Sequence, residues 1–211
     1  MTRDWREWHR AYDQPGSRLE QRLVIVQECI RGALDTRPPG PIRVISVCAG
    51  EGRDLLGVLA DHDRTDDVIG RIVELDEQLA ASAAAHAPSA LEVVCGDAST
   101  TGAYTGAVPA DLVLLCGVFG NVSDEDIEHT VRMLPTLCAP GATVIWTRHR
   151  RPPDRTTDVR RWLGESGYEE IRFVGSDDFL FGVGVHRLTA LPAAFVPDVR
   201  LFTFVGYDLL P

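Results

Sequence analysis

Val47-Cys48-Ala49-Gly50-Glu51-Gly52-Arg53-Asp54 follows a short apolar run, Ile42–Cys48, and leads into a helical pattern, Arg53–Ala60. A buried strand that turns through two glycines into a helix is the first unit of an open α/β sheet. Gly50 and Gly52 allow a tight turn and leave bare backbone against which a ligand can lie. The helix start that follows offers N–H groups without intrahelical partners. Ligands of such sheets bind beyond the carboxyl ends of the strands, where strand order reverses. A ligand is therefore expected at this turn.

Working outward, strands and helices alternate. Upstream, Leu19, Leu23, Val26, Ile30 and Leu34 recur at helical spacing within Ser17–Asp35, with Ser17 as N-cap, and the prolines of Pro38–Pro41 end that helix. Downstream, strands are expected at Ile69–Leu75, Leu91–Cys95, Leu112–Cys116 and Thr143–Thr147. Helices are expected at Glu77–Ala87, from Ser123 to Leu137, and at Thr157–Glu165. Two further strands, Tyr168–Val174 and Phe181–Leu188, are joined by the short turn at 175–178, which only an antiparallel pair allows. The pattern predicts an α/β fold: a doubly wound, Rossmann-like, seven-stranded and mostly parallel sheet with an antiparallel last strand, in a single domain. Residues 1–37 read as a helical extension or lid, 40–188 as the ligand-binding core, and 189–211 as a tail in which Arg200–Val205 alternates as an edge strand does.

Composition narrows the function. The chain has 211 residues, 45% of them hydrophobic and 25% charged, enough to bury one full core. Its net charge is −10, and all 21 basic residues are arginine. A phosphate backbone rewards clustered positive charge, so this balance argues against a large nucleic-acid footprint. The charged start lacks the apolar stretch of a signal peptide, and no span approaches the ~20 apolar residues of a membrane helix. Five cysteines, an odd number without a CxxC pair, argue against a disulfide framework or a zinc site and for reduced thiols in the cytoplasm. The oligomeric state stays open, with a homodimer compatible.

Two acids stand where a nucleoside would need them. Glu74 ends the second strand 22 residues after Gly52, placed to accept hydrogen bonds from ribose hydroxyls. Asp76 competes for that role but also fits the N-cap of the next helix. Asp97, 23 residues after Glu74, ends the third strand in Cys95-Gly96-Asp97-Ala98 and suits either an adenine amino group or an Asx-turn. A nicotinamide dinucleotide fingerprint wants a third glycine where this chain has Leu55.

Taken in order, the glycine turn, the two spaced acids and a fourth apolar strand resemble the class I S-adenosylmethionine-dependent methyltransferases. Their first motif is an acid, any residue, then three glycines at alternate positions. Here Ser46 replaces the acid and Cys48 the first glycine, while Gly50 and Gly52 match. The resemblance spans roughly residues 40 to 188 and implies S-adenosylmethionine as cofactor, with S-adenosylhomocysteine as product. It assigns to that cofactor Cys48, Ala49, Gly50, Gly52 and Leu75, with Glu74 for the ribose, Asp97 with the backbone of Ala98 for the adenine, and Cys116 on the methionine side. On this assignment Glu74→Ala is expected to weaken cofactor binding by about 1–3 kcal/mol and to spare the fold.

The acceptor side is less marked. His149, after the fifth strand, is the best-placed general base, although a histidine among arginines also reads as a surface loop. Arg148 suits an anionic substrate group or a solvated loop. Phe119 suits the substrate or the core. Trp8 and Tyr12, with Trp5 and His9, suit a lid that contacts the acceptor or a staple that holds the first helix. His186, among apolar neighbours, reads as a buried strand histidine. The expected function is methyl transfer to a small-molecule acceptor through nitrogen, oxygen or carbon, with no metal required. RNA or protein methylation, and a catalytically inactive cofactor-binding subunit, are the alternatives.

Overall fold

The computed structural model describes residues 10–175 and 180–205. Helix α1 (Arg18–Asp35) starts at Ser17, whose hydroxyl accepts the Glu20 N–H at 3.1 Å. There follow β1 (Ile42–Val47), α2 (Arg53–Leu59), β2 (Val68–Glu74), α3 (Glu77–His86), β3 (Leu91–Cys95), β4 (Ala110–Leu115), α4 (Asp124–Met133), β5 (Cys138–His149), α5 (Thr156–Glu165), β6 (Tyr168–Val174) and β7 (Phe181–Leu188). The strand order is β3-β2-β1-β4-β5-β7-β6. The first five strands run parallel, and β7 pairs antiparallel with both β5 and β6. This is the expected sheet, and its order reverses between β1 and β4.

Side chains alternate across the sheet, so its central strands β1, β2, β4 and β5 feed two cores. Val44, Ile72, Leu112 and Leu114 pack with Val26, Ile30 and Leu34 of α1 and Leu55 and Leu59 of α2. Ile45, Val73, Val113 and Leu115 pack on the other face with Ile127 and Val131 of α4 and Val159 and Leu163 of α5. Gly70 carries a backbone turned to φ +127°, and a Cβ there would lie 2.0 Å from the Val44 carbonyl oxygen, so only glycine lets β2 close against β1 at that point.

Two expectations are corrected. Arg200–Val205 is not an edge strand: apart from a single bridge of Arg200 to Thr100, it is an extended strap across the carboxyl ends of the strands. Leu201 N–H donates to Ser99 O at 2.7 Å and Val205 N–H to Asn121 O at 2.9 Å, and Leu201 and Phe202 are buried. Burial does not follow the alternation of the sequence: the adjacent Leu201 and Phe202 both face the core, while Arg200, Thr203, Phe204 and Val205 are exposed. The fifth strand is also far longer than Thr143–Thr147: it runs from Cys138 to His149, with Pro140 and Gly141 inside it. Of the 175–178 turn only Gly175 is described, and Trp5, Trp8 and His9 also lie outside the described residues.

His186 of β7 is a buried strand histidine. Its Nδ1 accepts the Trp146 indole N–H at 3.2 Å, which leaves the proton of the neutral ring on Nε2, 3.5 Å from Glu170 Oε2. The indole fits because Gly184 opposite has no side chain; a Cβ there would meet it at 2.4 Å. Burial pushes the His186 pKa down to about 4, against the pull of Glu170. The folded-state value lies below the unfolded one of about 6.5, so the unfolded chain takes up the proton first as pH falls. Stability is therefore fully present above about pH 6.5 and is lost as pH drops toward 4. Urea unfolding at pH 7 and pH 4.5 should show wild type losing about 2 kcal/mol more than His186→Gln; equal losses would mean the ring does not titrate as its burial requires.

Candidate functional site

The loop after β1 winds through the left-handed region three times in five residues, at Cys48 (φ 52°), Gly50 (φ 59°) and Gly52 (φ 69°). The cysteine thus holds a backbone conformation that glycine takes freely and that costs an L-residue roughly 1–2 kcal/mol. Neighbouring bonds hold the loop in place. Ala49 N–H donates to Val73 O at 3.2 Å, and Gly52 N–H to Ala49 O at 2.9 Å. The Glu74 carboxylate takes the Gly50 N–H on Oε2 at 2.7 Å and the Asp76 N–H on Oε1 at 2.9 Å. One acid at the end of β2 therefore fastens two loops, and each of its oxygens keeps a lone pair for a further donor.

Above these loops lies a cavity of about 550 Å³, within the range of small-molecule sites. Its floor comes from four strand ends: Cys48 and Ala49 after β1, Glu74 to Asp76 after β2, Asp97 to Ser99 after β3, and Cys116 and Gly117 after β4. Tyr12, Arg22, Leu23 and Val26 close one side, and Arg200, Phe202 and Phe204 of the strap close another. All the expected cofactor residues line this cavity except Gly50 and Gly52, which shape the turn beneath it. Leu75 is 70% exposed, an apolar side chain at the open mouth.

Each acid combines a structural task with access to the cavity. Asp76 caps α3 through Gln78 N–H (2.9 Å) and Leu79 N–H (3.1 Å). Asp97 Oδ1 accepts the Ser99 N–H at 2.8 Å in an Asx-turn, and hydrogen bonding to Ser99 lowers its pKa. Asp54, in the first turn of α2, accepts the Leu55 N–H at 2.8 Å, and burial raises its pKa. Burial also raises the Cys48 and Cys116 thiols, so neither offers a thiolate nucleophile.

A second cavity, of about 160 Å³, adjoins the first, with Arg22 and Gly117 in both walls. It contains His149, Arg148, Arg151, Asn121 and Gly120 from the ends of β4 and β5, and Arg18 and Leu19 from α1. Burial lowers the His149 pKa, and Arg148 and Arg151 push the same way, so the ring is neutral and able to accept a proton near pH 7. Arg148 is nearly buried; it donates to Phe119 O and lies 3.4 Å from Asp124.

Two acceptor-side expectations change. Phe119 lines neither cavity: it is fully buried, with its ring 6.1 Å from Trp146 in the core. An apolar residue just after a strand reads alike whether it points inward or toward a ligand. Tyr12 belongs to the larger cavity, where its hydroxyl accepts from Arg22 at 2.5 Å. Trp8 lies outside the described residues. Sequence reasoning missed Arg18, Arg22, Asp54 and Phe202. The arginines sit on the polar face of an amphipathic helix and Asp54 in a helix first turn, places where such residues are ordinary.

The fold is that of solved S-adenosylmethionine-dependent methyltransferases. The CurJ carbon methyltransferase superposes with a TM-score of 0.70 at 14% identity, over 89% of this chain and 59% of that one, so the chain spans about three fifths of its length. Magnesium protoporphyrin IX methyltransferase (ChlM) from Synechocystis PCC 6803, with bound SAM, gives 0.64 at 12% identity over 88% and 91%. N-methyltransferase NodS from Bradyrhizobium japonicum WM9, in complex with S-adenosylhomocysteine, gives 0.63 at 12% over 88% and 98%. No protein-family model matches the chain, and no curated protein matches its sequence.

The double duty of Glu74 revises the expectation that its removal spares the fold. Glu74→Ala strands the N–H groups of Gly50 and Asp76, so urea unfolding of the ligand-free protein should show a loss of about 1–3 kcal/mol. Calorimetry with S-adenosylhomocysteine should show affinity reduced about tenfold or more. Unchanged stability and unchanged affinity would remove Glu74 from the account.

Proposed function

We propose that this protein transfers the methyl group of S-adenosylmethionine to a small-molecule acceptor. The observation that carries the reading is the pair of adjoining cavities at the sheet's switch point, one with acids on its floor and one with a neutral histidine, meeting at Arg22 and Gly117. The larger cavity suits an adenosine: Glu74 and Asp97 accept from hydroxyl or amino donors, and Leu75, Ala98 and Phe202 offer apolar surface to a ring.

S-adenosylmethionine supplies a methyl on a positively charged sulfur; the acceptor's lone pair bonds to that carbon while the C–S pair returns to sulfur. This chain's part is placement and exclusion of water. Leu23, Val26 and Phe202 cover the larger cavity and keep the reacting centre dry. His149 takes the proton of an N–H or O–H acceptor. A small acceptor is favoured over RNA because two of the arginines after β5 are tied up by acids: Arg150 pairs with Asp154 at 3.0 Å and Arg155 with Asp124 at 2.8 Å. An inactive subunit is disfavoured by the open second cavity. No helix among the described residues is long and apolar enough to cross a membrane, and a cytoplasmic setting, which suits five free thiols, is part of this reading.

Release of S-adenosylhomocysteine measured across a panel of phenols, amines and carboxylic acids should rise above the acceptor-free rate with at least one class. For a protic acceptor His149→Ala should lower kcat by about 10²-fold or more and remove an acid limb lying below about pH 6.5, because the lowered pKa keeps the ring unprotonated above it. Turnover by the variant at the wild-type rate would exclude His149 as the base. Tight product binding without turnover of any acceptor would leave the inactive-subunit alternative.

A further inference from the structure

We propose that the second cavity recognises a negatively charged group, so that the methyl acceptor is a small carboxylate or phosphate with an apolar body. The proposal rests on the methyltransfer reading for the word acceptor, but the site itself stands on its own geometry. Its wall combines Arg18 and Arg22, one turn apart on α1, with Arg148 at the end of β5 and Arg151 just beyond it, and among the described residues no Asp or Glu lines it. In a chain of net charge −10, four guanidinium groups gather around about 160 Å³, one of them, Arg148, also 3.4 Å from Asp124. Two segments more than a hundred residues apart in sequence supply it, so it is not a run of solvated charges on one loop.

A second observation points to a ligand. Asn121 and Arg148 are 8% and 7% exposed, both line this cavity, and each has a buried polar atom without a hydrogen-bond partner: Asn121 Oδ1 and Arg148 Nε. The Asn121 amide is oriented by its Nδ2, which donates to Gly117 O at 2.7 Å, so the unmatched atom is an oxygen that wants a donor. Arg148 Nε, in turn, is a donor that wants an acceptor. Unmatched buried groups of both kinds are costly unless something completes them. An anion bearing a nearby hydroxyl or N–H would do so. Leu19, Leu180 and Phe181 supply an apolar side for the rest of such a molecule. Guanidinium forks bind carboxylate and phosphate alike in paired hydrogen bonds, so the shared chemistry is an oxyanion.

Benzoate, phenyl phosphate and the neutral benzamide, titrated into wild type by protein-observed NMR with and without saturating S-adenosylhomocysteine, separate the possibilities. At least one anion should bind about tenfold or more tightly than benzamide, and whichever anion is tighter identifies the acceptor's charged group. Arg18→Gln and Arg151→Gln, both at exposed positions that line only this cavity, should each weaken that anion about tenfold and leave S-adenosylhomocysteine affinity unchanged. Benzamide binding as well as the anions, or anion affinity indifferent to both substitutions, would overturn the proposal. Arginine-dependent anion binding by a protein that fails to bind S-adenosylhomocysteine would uphold the anion site and overturn the methyltransfer reading instead.

Discussion

The candidate site depends on one carboxylate. Glu74 ends β2 and accepts the backbone N–H groups of Gly50 and Asp76, so the turn after β1 and the turn into α3 are set relative to each other by a single side chain. Charge-assisted bonds of this kind are stronger than neutral ones, and they hold a loop that crosses the left-handed region three times. The departure at Cys48 is absorbed here: the cysteine adopts φ 52° because its neighbours are fastened on either side, not because its own preference leads it there. Glu74 also lines the larger cavity, so on the proposed reading the scaffold and the binding group are one residue.

Much of this was legible in the sequence, for identifiable reasons. Strands that are buried on both faces read as continuous apolar runs, and helices between them show their caps: Ser17, Asp76 and Ser123 each accept the N–H groups expected of an N-cap. The short 175–178 connection was enough to require an antiparallel pair. That Glu74 and Asp97 would stand at the cavity was legible because strand ends at a switch point are few and acids there are conspicuous.

The parts that were missed share a physical cause: their sequence signal is the same as that of an ordinary structural residue. Phe119 follows an apolar strand, and only packing against Trp146 shows that it belongs to the core. Arg200–Val205 alternates as a strand does, yet serves as a strap whose Phe202 walls the larger cavity. Arg18 and Arg22 occupy a helix face that in isolation reads as solvent-facing. They become part of a site only because α1 is docked beside the ends of β4 and β5, a long-range relation that no local pattern encodes.

The central claim is that the floor formed by Glu74, Asp97 and Gly117 holds the adenosyl group with its sulfur at the junction of the two cavities. A crystal structure of the protein with S-adenosylhomocysteine tests it most directly. The account predicts ribose hydroxyls about 3 Å from the Glu74 carboxylate, the adenine beside Asp97 and Ala98, and the sulfur beside Gly117, facing His149. A ligand seated elsewhere, or one whose ribose makes no contact with Glu74, would contradict it.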